Sequence, residues 1–372
     1  MRVAFIDQAG DQSGGAQRSL AILLRALPAD IQPHAILFGD GAFAAGLRAS
    51  GIPVTVVPLP PAVLATTREH PATGIAALPS AIVAVARAIR GVGADLVHTN
   101  TIKAHAVASP AARLAGVPCV AHLRDILDGR GRIAIRSVLA ACSRERIAIS
   151  HAVDAAFGLG ATSVIANPLE LDDYRDLPSC ADARRRLGLP AGTLVSLIGR
   201  INRWKGHDRL IRIVARLHAL PDLHAAIVGA PLFRDADFVA ELHALVEREG
   251  LRERVHFVPW LDDVRVAYAA TDINLNCSEA EPFGRTIIEA AACGVPSIAF
   301  AGGGTSDAII DGHTGRIVPA GDETAFARAI EAYATDPQLL DAARAHARDF
   351  AQTFAAPVHA SRVATILRRV AA

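Results

Sequence analysis

The sequence predicts an α/β protein built from two parallel-sheet, Rossmann-like domains. Three observations carry that reading. The chain has 372 residues, enough for two domains at roughly 100–200 residues each. Short apolar runs alternate with longer amphipathic stretches from end to end, the signature of strands joined by crossover helices. The alternation breaks at a polar, proline-containing stretch near Asn167-Pro168 and then starts again. With 51% hydrophobic and 20% charged residues, a disordered chain is excluded.

Taken in order, Val3–Ile6, Ala35–Phe38, Val54–Val57, Leu96–Val97, Cys119–Ala121 and Ile147–Ile149 are apolar runs short enough for strands. Their continuous apolar character, rather than alternation, implies a sheet covered on both faces. Helical periodicity falls between them, over Ala16–Leu27, Ile75–Ile89, Ala104–Leu114 and Ile133–Ala141. In the second half, Leu194–Ile198, Ala225–Val228, Val255–Val258, Ile273–Leu275 and Pro296–Phe300 read as strands. Helices are expected at about 207–219, 238–249, 263–270, 284–293 and 323–334. Pro168 pushes Asn167 out of helical geometry, and Asp172–Asp182 reads as a connector. The expected domains are therefore 1–168 and 169–350, with 351–372 as a closing helix that packs back on the first domain. Ligands of such sheets sit beyond the carboxyl ends of the strands, so the expected site is a cleft between the domains.

Composition narrows the function classes. Net charge is +1, from 38 Lys+Arg against 37 Asp+Glu, which predicts no nucleic-acid partner. Five dispersed cysteines show no C-x-x-C pair, so neither a disulfide scaffold nor a structural zinc site is expected. No secretory h-region or membrane-length apolar run is visible, and a cytoplasmic protein is expected. That leaves room for peripheral contact with the inner face of the membrane. Only Lys103 and Lys205 among the 38 cations are lysines, so a lysine here is a local choice that wants a reason.

Five segments follow predicted strands and carry chemistry. Gly199-Arg200-Ile201-Asn202-Arg203-Trp204-Lys205-Gly206 precedes a helix. There Arg200 can fork onto phosphate oxygens and Lys205 can supply a point charge beside backbone N–H groups. Read alone, these cations fit a solvated loop equally well. Glu281-Pro282-Phe283-Gly284-Arg285-Thr286-Ile287-Ile288-Glu289 places two carboxylates eight residues apart, about 12 Å along a helix. That separation exceeds the roughly 5–9.5 Å of a glycosidase pair. It suits two ends of an extended ligand with an anionic middle. The plainer alternative is a first-turn carboxylate and an ordinary helix Glu, yet Glu289 lies in an apolar run where an unpaired charge is costly. Gly302-Gly303-Gly304-Thr305-Ser306-Asp307, read as a glycine run before a helix, can set backbone against a sugar or phosphate, or be a plain turn. Gly14-Gly15-Ala16-Gln17 lacks the G-x-G-x-x-G spacing of a dehydrogenase. Ala121-His122-Leu123-Arg124-Asp125 ends a strand, although a lone His there is more often structural. Asp235-Ala236-Asp237 has the look of a metal-binding pair but precedes a helix, where aspartates cap.

Together these residues resemble the retaining GT-B glycosyltransferases of family 4. Gly199-Arg200…Lys205-Gly206 is similar to that family's diphosphate-binding G-R-x(4)-K-G, and Glu281…Glu289 to its E-x(7)-E. Gly14-Gly15-Ala16 is similar to its N-terminal glycine loop. Ser150–Val153 and Asn167–Glu170 resemble segments flanking its domain crossover. The resemblance implies transfer of a hexose-type sugar, with retention, from a UDP- or GDP-sugar to an acceptor hydroxyl. Bacterial glycan, glycolipid or natural-product glycoside assembly is the implied setting. It implies an acceptor-side N-terminal domain, a donor-binding C-terminal domain, and no metal or other cofactor. Arg200 and Lys205 would neutralise the leaving diphosphate, and Glu281 and His122 would meet sugar hydroxyls or the acceptor side. Amides around Phe283, Gly284, Arg285 and Thr286 would contact sugar and phosphate, Glu289 the ribose, and Gly15 the phosphates. Asp307 and Gln17 stand where the family usually has Glu, which puts their family roles in question. The competing readings are a nucleotide-sugar 2-epimerase of the same architecture and a non-catalytic sugar-binding protein. An Arg-rich stretch, with Arg124, Arg130, Arg132, Arg136, Arg144 and Arg146, is either the approach to an anionic acceptor or lipid or a set of solvated helix faces.

Overall fold

The computed structural model describes the chain except for residues 9, 11–13, 66–73, 161–162 and 232–234. The chain divides into two compact units, Met1–Leu169 with Ala356–Ala372, and Glu170–Ala355.

The first unit runs β1 (Arg2–Asp7), α1 (Gly15–Ala26), β2 (Gln32–Leu37), α2 (Ala42–Ala49), β3 (Val54–Val56), α3 (Pro61–Leu64), α4 (Leu78–Gly91), β4 (Leu96–Thr99), α5 (Ile102–Ala115), β5 (Cys119–Leu123), α6 (Gly129–Cys142), β6 (Glu145–Ala148), α7 (His151–Phe157) and β7 (Ser163–Val164). Its seven strands lie in the order β3-β2-β1-β4-β5-β6-β7, with every pairing parallel. Each pairing therefore needs a crossover, and the helices supply apolar cover to both sheet faces. One core gathers Phe5, Leu20, Leu23, Leu37, Val120 and Ile147; the other gathers Ile6, Ile36, Val85, Val97, Val107 and Ala111.

The second unit runs α8 (Cys180–Leu187), β8 (Thr193–Ile198), α9 (His207–Arg216), β9 (Leu223–Val228), α10 (Ala236–Arg248), β10 (Val255–Val258), α11 (Arg265–Ala270), β11 (Ile273–Asn276), α12 (Arg285–Ala292), β12 (Ser297–Phe300), β13 (Gly315–Val318), α13 (Glu323–Thr335) and α14 (Pro337–Ala351). Its six parallel strands are ordered β10-β9-β8-β11-β12-β13. The order turns around β8 and β11, so the loops after these two central strands face a common crevice beyond their carboxyl ends. Helix α15 (Ala356–Ala371) returns to the first unit, where Val363, Ile366, Leu367 and Val370 join the core around Phe5 and Leu20.

Two expectations are corrected here. The polar stretch expected as a connector instead opens the second unit. Ser179 caps α8 by accepting from the Asp182 N–H, and Arg184 binds the Ala270 carbonyl and the Asp272 carboxylate. The glycine run leads not into a helix but into a single 3₁₀ turn, Thr305–Asp307. Strands β7 and β13 escape the sequence pattern: β7 has only two residues, and Arg316 interrupts the apolar run of β13. Among the described residues, no helix is long and apolar enough to cross a membrane.

Candidate active site

Three of the five segments meet inside the second unit. The loop after β8 tightens into a 3₁₀ turn, Arg203–Lys205, whose start is capped by the Asn202 side chain accepting from the Lys205 N–H at 3.2 Å. Gly206 then takes φ +73°, and a Cβ there would collide with the Cys277 carbonyl. Only glycine lets the two loops approach this closely. The loop after β11 carries Glu281. Its carbonyl accepts the Gly304 N–H at 2.6 Å, and a Cβ on Gly303 would strike that carbonyl. The glycine run is thus a backing plate for Glu281, not a loose turn.

Lys205 Nζ lies 2.6 Å from Glu281 Oε2, with the two side chains only 17% and 9% exposed. Ser278 Oγ donates to the same oxygen at 3.0 Å, and Asn276 Nδ2 lies 3.4 Å from it. Burial raises the Glu281 pKa. The Lys205 charge and these hydrogen bonds outweigh that effect and hold it below the usual carboxylate range. All three donors converge on Oε2. Among the described residues Oε1 accepts no hydrogen bond, which leaves it for a ligand.

Helix α12 begins at Arg285 behind Gly284 at φ +97°. Its first-turn amides carry the positive end of the helix dipole. Phe283 is core: its ring is buried edge-on to Phe354 at 6.0 Å, so only its backbone can serve a ligand. Thr286 is half-buried on the first turn. One turn on, Glu289 is buried. Its Oε1 accepts from Arg285 Nε and its Oε2 from the Tyr268 hydroxyl, each at 2.9 Å. The apolar setting around Glu289 is therefore offset by two dedicated donors. Burial and the neighbouring Glu289 charge push the Tyr268 phenol well above its ordinary value, so it stays a donor. Arg200 is exposed on the loop after β8, and no hydrogen bond or ion pair engages it among the described residues. Asp235 stands at the N-cap position of α10 but makes no side-chain capping bond, so the expected cap is absent.

In the first unit, Gly15 is exposed at the start of α1. Gln17 accepts the Gly14 N–H at 3.0 Å and donates to the buried Asp7 carboxylate at 2.9 Å. His122, expected to meet a sugar hydroxyl or the acceptor side, lies near the end of β5. It is fully buried, with Nδ1 3.3 Å from both Arg124 Nη2 and His98 Nε2. A guanidinium only donates, so His122 Nδ1 accepts and its proton sits on Nε2. Burial first, then the Arg124 charge, drives the His122 pKa well below its ordinary value. Arg124 is likewise drawn inside, donating at 2.6 Å to Asn100 and to Asn167, rather than joining an exposed basic stretch. Exposed arginines of that stretch include Arg132 and Arg136 on α6. Sequence reasoning missed Asn276, Ser278 and Tyr268. A polar residue ending an apolar strand pointed to Asn276; nothing local pointed to Tyr268.

Comparison with known proteins places this geometry in a family. Residues 182–350 match the model described as glycosyl transferases group 1, and residues 14–166 match the glycosyl transferase 4-like domain. The Anabaena protein Alr3699/HepE in complex with UDP is 30% identical with a TM-score of 0.86, over 99% of this chain and 100% of that one. Its complex with UDP-glucose gives 29% and 0.84, over 99% and 100%. The chain belongs to the group 1 glycosyltransferases and has the GT-B fold of two Rossmann-like domains. A D-inositol 3-phosphate glycosyltransferase of Stackebrandtia nassauensis is 39% identical over 180 residues, 46% of this chain and 41% of that protein. One of Streptomyces coelicolor is 37% identical over 206 residues, 51% and 45%. The matched region thus spans less than half the length of these curated relatives.

Proposed function

We propose that this protein transfers a hexose-type sugar from a nucleoside diphosphate sugar to an acceptor hydroxyl, with retention at the anomeric carbon. The observation that carries the reading is the Lys205–Glu281 pair, backed by Gly303–Gly304 and adjoining the start of α12. Lys205, Arg200 and the α12 amides would hold the diphosphate and stabilise it as it leaves. Oε1 of Glu281 would accept a donor-sugar hydroxyl. Glu289, oriented by Tyr268 and Arg285, would accept from the ribose. Gly15, exposed at the start of α1, leaves its backbone open to a phosphate. With cations and a helix dipole at the leaving group, the reaction would need no divalent metal, and chelation is expected to leave turnover unchanged. The UDP and UDP-glucose complexes of the Anabaena relative support a uridine-type donor carrying a glucose-type sugar.

The test incubates the full chain with UDP-glucose, UDP-galactose and GDP-mannose. Acceptors include D-inositol 3-phosphate, suggested by the curated relatives, and simple glycosides. Release of the nucleoside diphosphate and the anomeric proton coupling of the product are measured. Transfer from an α-linked donor is expected to give an α-linked product. Sugar isomerisation without acceptor would instead establish the epimerase. Tight donor binding with no turnover for any acceptor would favour a binding protein.

A further inference from the structure

We propose that Trp204 is a positioning residue for Lys205, the indole and Glu281 together holding the ammonium where it meets the donor diphosphate. This rests on the reading of Lys205 as a diphosphate ligand. Trp204 and Lys205 share the 3₁₀ turn between β8 and α9, and that turn is pinned on both sides. Asn202 caps it, and the Trp204 carbonyl accepts the Glu279 N–H at 3.3 Å. The Lys205 ammonium lies 4.2 Å from the centre of the indole ring. It thus touches Glu281 Oε2 at 2.6 Å on one side and the π face of Trp204 on another. Among the described residues it makes no other hydrogen bond.

That arrangement solves a problem inherent in the site. A lysine is a point charge on a flexible four-carbon stem, and rotamer freedom alone does not place it. A carboxylate alone would place it but would also neutralise it. An aromatic face attracts a cation without cancelling its charge, because the attraction is to the ring quadrupole. The ammonium can therefore turn part of its donor capacity to an incoming phosphate while the ring keeps hold of it. The position of Trp204 fits that role. It is a large aromatic left 43% exposed, on the turn that carries one of only two lysines in the chain. The scarcity of lysine marks Lys205 as a local choice over arginine, and the ring gives that choice a geometric partner.

The experiment titrates UDP into the full-length protein by calorimetry, for wild type, Trp204→Phe, Trp204→Leu, Lys205→Met and the Trp204→Leu/Lys205→Met double variant. Melting without ligand confirms that each is folded. Trp204→Leu is expected to weaken UDP about 5- to 30-fold, the range of a partly desolvated cation–π contact. Trp204→Phe, which keeps a ring, should stay within about threefold of wild type. The deciding result is the cycle: in the Lys205→Met background, loss of the indole should change affinity by less than about twofold. If Trp204→Leu binds UDP like wild type, or weakens it equally with and without Lys205, the proposal falls while the assignment of Lys205 stands. An equal loss in both backgrounds would mean that the indole touches the nucleotide directly. If Lys205→Met binds as wild type does, or wild type does not bind UDP, both the proposal and the donor-site reading fall.

Discussion

At residue 17 one functional group decides the local chemistry. Gln17 closes the start of α1 through its oxygen, on the Gly14 N–H, and uses its amide nitrogen on the buried Asp7 carboxylate. A glutamate would keep the first bond and set a second carboxylate against Asp7 where both side chains are buried. The neighbouring carboxylate therefore favours the amide of Gln17 over a glutamate at this position. Gln17→Glu is predicted to destabilise the protein by about 2–3 kcal/mol, the cost of an uncompensated buried polar clash. Adding Asp7→Asn should recover most of that. The amide it introduces can donate to the new carboxylate while still accepting from Asn100, whose Nδ2 lies 2.7 Å from Asp7 Oδ2. Urea denaturation of the two variants checks this, and a single variant as stable as wild type would refute it. Legibility at this scale was uneven. Lys205 stood out by rarity, whereas the burial of His122 and its contacts with Arg124 and His98 could not be read from its position at a strand end.

Strands β4 and β5, with α5, bury three imidazoles in the first unit: His98, His122 and His105. His122 faces Arg124 and stacks on His359 at 6.0 Å, and His105 Nδ1 lies 2.7 Å from Thr99 Oγ1. Burial lowers all three below their ordinary value, His105 to about 3, with the Arg124 charge adding to it. The folded state therefore keeps them neutral at pH values where the unfolded chain protonates them. Their contribution to stability is complete above about pH 6.5 and declines as pH falls. Stability should therefore fall as pH drops below about 6.5, by up to about 1.4 kcal/mol per pH unit for each ring that stays neutral in the folded state. Hydrogen exchange of the β4 and β5 amides reads this directly, and a profile flat below pH 6 would show that the rings are not buried neutral. The strands themselves were readable as apolar runs. Their ends were not, because polar residues such as His98, Thr99 and His122 continue the strand while buried.

The two units differ in how the chain builds them. Glu170–Ala355 is one continuous segment with its own core, and it contains Lys205, Glu281, the glycine run and Arg285–Glu289. The first unit is completed only when α15 returns. A fragment comprising residues 170–355 is accordingly predicted to fold alone and to melt at a higher temperature with UDP than without it. Residues 1–169 alone should be markedly destabilised, since the faces that Val363, Ile366, Leu367 and Val370 cover would open to water. Circular dichroism melts of both fragments test this. A fragment 170–355 that folds but shows no shift with UDP would mean that its groups do not suffice for the nucleotide.

The sequence by itself determined the class: two alternating α/β halves, and chemistry-bearing loops placed after particular strands. Hydrophobic periodicity and strand-end glycines act over a few residues, so they can be read along the chain. Only the tertiary structure decided how charges are matched. Lys205 meets Glu281 across 76 positions, Glu289 meets Tyr268 across 21, and Arg124 is drawn to Asn167 across 43. No local spacing encodes these pairings. They arise because a buried charge must find a donor or acceptor wherever the folded backbone brings one within reach.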